Sequence, residues 1–385
     1  MHNHTLMGQL MQMFSRFEFQ KAVKATKTEY HARGFTSWNH FIAMLFGQLA
    51  GQDSLRSIEA GLATQAPALY HMGIAPVHRS TLAYANEHRS CELFEKIFCV
   101  MLSKCRSLAP RHKFKFKNPL YSIDSTTIEL CLSLYDWALF RQTKGAAKLH
   151  VKLNHAGYLP AFAVTTYAAI ADITVAKTMP MDKGDVVVMD RGYVGFEFLN
   201  SLDNKGVLFV VRVKENMLWR ITRRNGASGR KRIRFDRIVK TKSLHAKEKY
   251  SRRLRLVRAY DPVSKKTATL ATNNFTWSAK TIAAIYKERW QIELFFKTLK
   301  QQLKVKSFVG TSKNALLSQL WVALIAYLLL SYLKFKSKFK WSIYTLCAIL
   351  PTNLFARRNL WDWLNAPFHT RSNKPPDTQL TLGFG

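Results

Sequence analysis

The stretch that decides the fold is Leu120-Tyr121-Ser122-Ile123-Asp124-Ser125-Thr126-Thr127-Ile128-Glu129-Leu130. Its apolar residues alternate with polar ones and many are β-branched, which predicts a strand. Two more strand-like runs follow, 148–154 and 159–167, and Asn154-His155-Ala156-Gly157 between them is turn chemistry. Together they predict a three-strand antiparallel meander. Asp124 falls on the face shared by Ser122 and Thr126. A carboxylate in a central strand is costly unless a cation or hydrogen bonds compensate it. The plain alternative is an edge-strand Asp facing water.

Downstream, Val186-Val187-Val188-Met189 is a continuous apolar run, as expected of a buried strand. It ends in Asp190, followed by Arg191-Gly192-Tyr193. The carboxyl end of a buried strand is where ligands bind in open α/β sheets. The alternative for Asp190, an N-cap for the next helix, is weakened by the intervening Arg191-Gly192. Asp185, at the other end of that strand, ranks below it. A short helix near 172–179, a helix near 194–203 and a strand at 208–213 complete this section. Upstream, Lys113-Phe114-Lys115-Phe116-Lys117 alternates as a strand would.

Residues 211–260 hold 18 Lys or Arg against 3 Asp or Glu. Period-two runs between 233 and 272 predict a β unit with one basic face, and this charge density favours contact with phosphate over a merely solvated surface. A long helix then starts after Trp277, with Ser278 as N-cap, and runs to about 302. At about 100° per residue, Tyr286, Arg289, Glu293, Lys297 and Lys300 share a stripe about 80° wide. Ile285, Ile292, Phe296 and Leu299 form an adjoining core stripe. Glu288 is expected on the far side, facing solvent. A surface salt-bridge row would give the same cationic stripe.

Phosphoryl transfer needs divalent cations, in a two-metal site about 4 Å apart, and Mg²⁺ prefers carboxylate oxygens. Asp124, Asp190 and Glu293 are therefore the candidate metal-binding and catalytic residues.

The whole chain supports that chemistry. Its 385 residues predict two or three structural units, and 48% of them are hydrophobic, enough for a sizeable core. The formal net charge is +35. Self-repulsion of that size points to a polyanion partner, nucleic acid first and an anionic membrane surface second. Cys91, Cys99, Cys105, Cys131 and Cys347 show no CxxC spacing, and the start lacks a basic segment leading an apolar run. They read as reduced cytosolic thiols. Residues 315–333 carry no formal charge and could span a bilayer, but a buried helix gives the same pattern. Residues 1 to about 110 read as helical, with start signals at Asp53-Ser54 and Ser80-Thr81. A small helical domain there suits DNA-end binding or plain scaffolding. The tail from Thr370 reads as disordered.

The order Asp, Asp, Glu on strand, strand, helix resembles the DDE transposases. More narrowly, Tyr286-x2-Arg289-x3-Glu293-x6-Lys300 matches the Y-R-E-K signature of insertion sequence family four. Asp190-Arg191-Gly192-Tyr193 is similar to that family's second-acid motif. Lys144-Gly145-Ala146-Ala147-Lys148-Leu149-His150 resembles the segment after the first acid. Ser54-Leu55-Arg56-Ser57-Ile58 is similar to part of its N-terminal helical domain. One departure is Ala168–Thr174, less polar than expected, which leaves the role of Asp172 open.

The resemblance implies a mixed α/β (α+β) chain with a ribonuclease-H-like catalytic core. The expected division is a helical DNA-binding domain at 1–110, core at 111–213 and 273–335, an inserted basic β module at 214–272, and C-terminal helices and tail at 336–385. The implied activity is cut-and-paste transposition through a hairpin, with Mg²⁺ or Mn²⁺ held by Asp124, Asp190 and Glu293. Tyr286, Arg289, Lys300 and Lys297 are expected on DNA phosphates, with Arg191 and Tyr193 beside them. Trp219 or Trp277 is expected to stack on a flipped base, although a core role is the commoner one for each. Double-stranded DNA and a homodimer are the implied partners, in the cytoplasm and on the nucleoid. The competing readings are an inactive remnant or repressor that binds DNA, a nuclease that cuts without joining, and a membrane protein.

Overall fold

The computed structural model describes residues 4–368 except 31, 33, 131–138, 142–143, 227–231 and 306–307. Cys131 and the tail from 369 lie outside the described residues.

The first element set is helical: α1 (Leu6–Met11), α2 (Arg16–Thr26), α3 (Ser37–Ala50), α4 (Leu55–Ala63), α5 (Ala66–His71), α6 (Arg79–His88) and α7 (Glu92–Leu108). Ser54 caps α4 and forms a reciprocal capping box with Ser57. α6 begins at Arg79, just ahead of the expected Ser80 signal, and has no side-chain cap.

Strands then take over: β1 (Leu120–Leu130), β2 (Leu139–Arg141), β3 (Lys144–Asn154) and β4 (Leu159–Tyr167). β1 pairs antiparallel with β3, and β3 with β4, as the alternation requires. Lys113–Lys117 alternates in burial but joins no ladder among the described residues. Side-chain stacking fixes it instead: Phe114 stacks on Phe116 at 5.3 Å, and Phe116 on Trp277 at 4.4 Å.

After α8 (Asp172–Ala176) come β5 (Val186–Met189), α9 (Phe196–Asn204) and β6 (Leu208–Arg212). β5 lies parallel between β1 and β6. Its four residues are all 0% exposed, because helices cover both faces. Val187 and Met189 point into a core with α8 and α9. Val186 and Val188 face Ile282 and Ile285.

β7 (Trp219–Asn225), β8 (Ile233–Thr241), α10 (Leu244–Lys249), β9 (Leu254–Asp261) and β10 (Lys266–Thr272) do not form a separate sheet. β10 pairs with β6, so one ten-stranded sheet runs in the order β2-β3-β1-β5-β6-β10-β9-β8-β7, with β4 on β3. β7, with Arg220, Arg223 and Arg224 exposed, is the strand at the far rim.

The expected single helix after Ser278 is broken. α11 (Ala279–Glu288) and α12 (Trp290–Lys297) meet at Arg289, and a π-helical turn, Thr298–Gln302, follows. Ser278 does cap α11, accepting from the Thr281 N–H. α13 (Lys313–Lys336), α14 (Ile343–Ile349) and α15 (Leu360–Asn365) close the fold. α13 is long and apolar enough to cross a membrane, yet 83% of its most apolar window is buried inside the protein. It shares one core with α3, α7, α12 and the outer face of the meander.

Candidate active site

Asp124 sits on β1 between β3 and β5, so it is a central-strand carboxylate. The strand beneath it is pinned by a buried contact between the Ser122 hydroxyl and His155 Nε2, 2.8 Å. Asp124 Oδ1 accepts the Ser125 backbone N–H at 2.9 Å, and Oδ2 accepts Arg289 Nη1 at 3.1 Å. Asp190 follows β5 at its carboxyl end. Its side chain makes no capping bond to the next turn, which removes the N-cap reading. Its Oδ1 accepts the Tyr286 hydroxyl at 3.1 Å. Glu293 Oε1 accepts Arg289 Nη2. One arginine thus joins the acid of the strand to the acid of the helix. Tyr286, one turn earlier, reaches the third acid.

Burial dominates the electrostatics, and the crowding of acids adds to it. Burial pushes the Asp124 carboxyl up to about 6; the Ser125 N–H and Arg289 pull it down, while Asp190 and Glu293 push it further up. Burial, then Asp190, raises the Tyr286 hydroxyl to about 12, so it stays protonated and can donate. Tyr193 is raised above the usual tyrosine range by burial and by the field of Asp124 and Asp172.

The remaining candidates divide. Lys300 donates to the Thr127 carbonyl at 2.6 Å, beside the site. Lys297 and Arg191 are exposed. Tyr193 is only 2% exposed and cannot be the surface group the sequence suggested; the 3-10 turn of 191–193 folds it under the acids. Trp219 is half-buried edge-on to Phe196 at 6.1 Å, and Trp277 is stacked on Phe116. Trp290, next to Arg289, is 56% exposed. Sequence reading passed over it because its neighbours carry the charge.

Glu288 corrects an expectation. It is 7% exposed, with Oε1 on Lys113 Nζ at 2.5 Å and Oε2 accepting the Tyr158 hydroxyl at 3.1 Å. The helical wheel already implied this. A position about 200° one way is about 160° the other, only about 20° from the core stripe. Asp172, left open above, accepts the Ser125 hydroxyl at 2.7 Å and Lys148 Nζ at 3.1 Å. It therefore braces the residue whose N–H holds Asp124.

Among the described residues, no three His, Cys, Asp or Glu side chains already converge tightly enough to hold a metal ion. The donor set still fits one: three hard oxygen ligands, a first acid whose charge is disfavoured by burial and, secondarily, by its acidic neighbours, and a guanidinium that now supplies the positive charge between two of them.

A mixed α/β sheet that carries acids near its carboxyl edge, in a chain of net charge +35, defines an enzyme that works on nucleic acid. Residues 115–329 match the family described as transposase DDE domain, and residues 2–75 match a domain of unknown function. The chain is 30% identical over 345 residues to a Geobacillus stearothermophilus protein named "Probable transposase for insertion sequence element IS5377", covering 88% of this chain and 87% of that one. A protein of Synechocystis sp. named for insertion sequence element IS4SA is 27% identical over 261 residues, 66% of this chain and 71% of that one. The solved synaptic complex of piggyBac transposase with hairpin DNA is similar over 97% of this chain and 84% of that one, at 10% identity and a TM-score of 0.44. The chain belongs to the DDE transposase family. It is a transposase with a ribonuclease-H-like core, it acts on DNA, and a DDE domain implies dependence on a divalent metal ion.

Proposed function

We propose that this transposase cleaves the ends of a bacterial insertion sequence and joins them to target DNA, with Asp124, Asp190 and Glu293 as the metal-binding triad. The observation that carries the reading is the helix stripe: Arg289 contacts both Asp124 and Glu293, while Tyr286 contacts Asp190. Two bound Mg²⁺ ions, with Mn²⁺ as substitute, would supply Lewis-acid stabilisation and an activated water or 3′ hydroxyl. The chain's own residues do the rest. Tyr286, Arg289 and Lys300 exchange their present partners for phosphates of the strand not transferred, and Lys297 joins them. Asp172 and Ser125 keep Asp124 in register. Arg191 steers the backbone.

The Tyr-Arg-Glu-Lys spacing supports membership of insertion sequence family four and, with it, a hairpin intermediate on each end. An exposed aromatic is needed to stack on a displaced base. Trp290 meets that requirement better than Trp219 or Trp277, whose rings are already packed. The domain division follows the sequence: end binding at 1–110, core at 111–213 and 273–335, phosphate-contacting strands at 214–272, and C-terminal helices from 336. A homodimer on paired ends, working in the cytoplasm, completes the reading.

A strand-transfer assay tests it. Purified protein, Mg²⁺ and DNA carrying the element's ends should give joined products. Stable end complexes without cleavage would favour the inactive-remnant reading.

A further inference from the structure

Two basic segments that the catalytic site does not use meet at the opposite edge of the sheet. The first is Arg111-His112-Lys113-Phe114-Lys115-Phe116-Lys117 and the second Lys334-Phe335-Lys336-Ser337-Lys338-Phe339-Lys340; neither contains an acid. In the first, the aromatic ladder of His112, Phe114, Phe116 and Trp277 faces inward, while Arg111, Lys113, Lys115 and Lys117 are exposed. In the second, Lys334, Lys336, Lys338 and Lys340 are exposed. Ser337 is anchored to the Leu364 carbonyl at 2.9 Å, and the Lys338 N–H to Asn365 at 2.8 Å.

The β3–β4 turn brings the two together. Gly157, at φ +72°, has Phe335 and Ala109 packed where a Cβ would stand. Their place is the amino-terminal edge of the parallel strands: Val186 N–H donates to Pro119 O at 2.8 Å, and Asn118 Nδ2 to Gly184 O at 2.7 Å. Asp190 leaves the other end of the same strand. Lys334 and Lys336 stand on the last turn of α13, Lys338 and Lys340 on the segment that leaves it, and Arg111, Lys113, Lys115 and Lys117 on the irregular segment ahead of β1, all of them exposed. The exposed charged groups of the rows are ammonium and guanidinium cations, which bind backbone phosphates whatever the base sequence.

We infer that this edge is a second, sequence-independent site for duplex DNA, bound through its phosphates. An edge remote from its own carboxylates cannot present the bond that those carboxylates cut. The DNA held here is therefore the stretch continuous with the bound end, wrapped around the protein. Covalent continuity gives it a high effective concentration. Counterion release from several contacts offsets a bending cost of a few kcal/mol.

The test replaces Lys115, Lys117, Lys336, Lys338 and Lys340 with Gln; Lys113 is spared because it pairs with Glu288. Binding is measured against salt on a short end duplex and on one extended at its boundaries. The extended duplex should bind at least about tenfold less tightly to the variant, with a salt slope smaller by about 4. Short-end binding and cleavage should be unchanged. Five Lys→Arg replacements should restore extended binding, since charge alone is required. Equal losses on short and extended ends, or a loss seen only for unrelated duplex added in trans, would overturn the inference. So would an unchanged slope.

Discussion

The centre of the sheet and its far rim handle charge in opposite ways. Asp124 on β1 and Asp190 at the end of β5 lie close to buried apolar residues, and each meets a named partner: Arg289 for Asp124, Tyr286 for Asp190. On β7 the side chains of Arg220, Arg223 and Arg224 are exposed. The buried acid on the rim, Asp236, is locked in a two-point pair with Arg255 at 2.9 and 2.6 Å. On the proposed function, the same residue types serve chemistry in one place and structure in the other. Burial alone does not tell them apart; what the partner is free to do does. Arg289 is the one proposed to exchange acids for phosphate, whereas Arg255, 6% exposed, stays closed in its pair.

The largest expected effect separates two neighbouring acids. Glu293→Gln should reduce cleavage by about 10³-fold or more, since several kcal/mol of charge stabilisation are lost, while end binding survives. Glu288→Gln should leave cleavage within about tenfold of wild type but lower stability by about 1–3 kcal/mol, because the charge goes and only one oxygen is left to accept from Lys113 and Tyr158. Thermal melting and single-turnover cleavage of both variants decide it. Equal loss of cleavage in two folded variants would erase the distinction between the catalytic acid and the structural one.

Asp236→Asn should cost about 3–5 kcal/mol of stability, because it leaves a buried guanidinium without its counter-charge. A denaturant midpoint unchanged from wild type would mean that the rim pair is not buried in solution.

Asp124 offers a pH test. Its carboxyl, raised to about 6 in the folded chain, penalises the folded state fully above that pH. The penalty fades as pH falls towards the ordinary carboxylate value near 4. Metal-free wild type should therefore gain stability relative to Asp124→Asn on acidification from pH 7 to pH 5. Divalent-cation affinity should weaken below about pH 6 in wild type. Parallel melting curves for the two proteins across that range would contradict the shift.

The smallest effect lies on the rim. Replacing Arg220, Arg223 and Arg224 with Gln should lower the salt slope of DNA binding by about 3 without changing the cleavage rate at saturation. An unchanged slope would place these strands away from phosphate.

Much of the centre could be read from local pattern. Val186–Met189 announces a strand buried on both faces, and a period of two around Asp124 announces its pairing. The Tyr286–Glu293 stripe follows from helical spacing. What stayed hidden depends on distant partners. Nothing local to 214–272 says that β10 pairs with β6 and extends the core sheet. Lys152 and Asp185 pair inside the protein at 3.1 Å across two strands, and neither run hints at the other. Tyr193 sits in a motif that suggested exposure, yet the turn buries it. Glu288 borders the core stripe of the helix, about 20° from its edge, so a solvent-facing placement does not hold. Its carboxylate lies against Lys113 and Tyr158.

The central claim is that the acid at the end of β5 does chemistry together with those on β1 and α12. Asp190→Asn is the most direct test, because it removes one charge while keeping shape and the Tyr286 contact possible. With Mg²⁺ and DNA carrying the element's ends, the variant should bind the ends with wild-type affinity and give no nicked, hairpin or joined product. Cleavage at the wild-type rate would contradict the account.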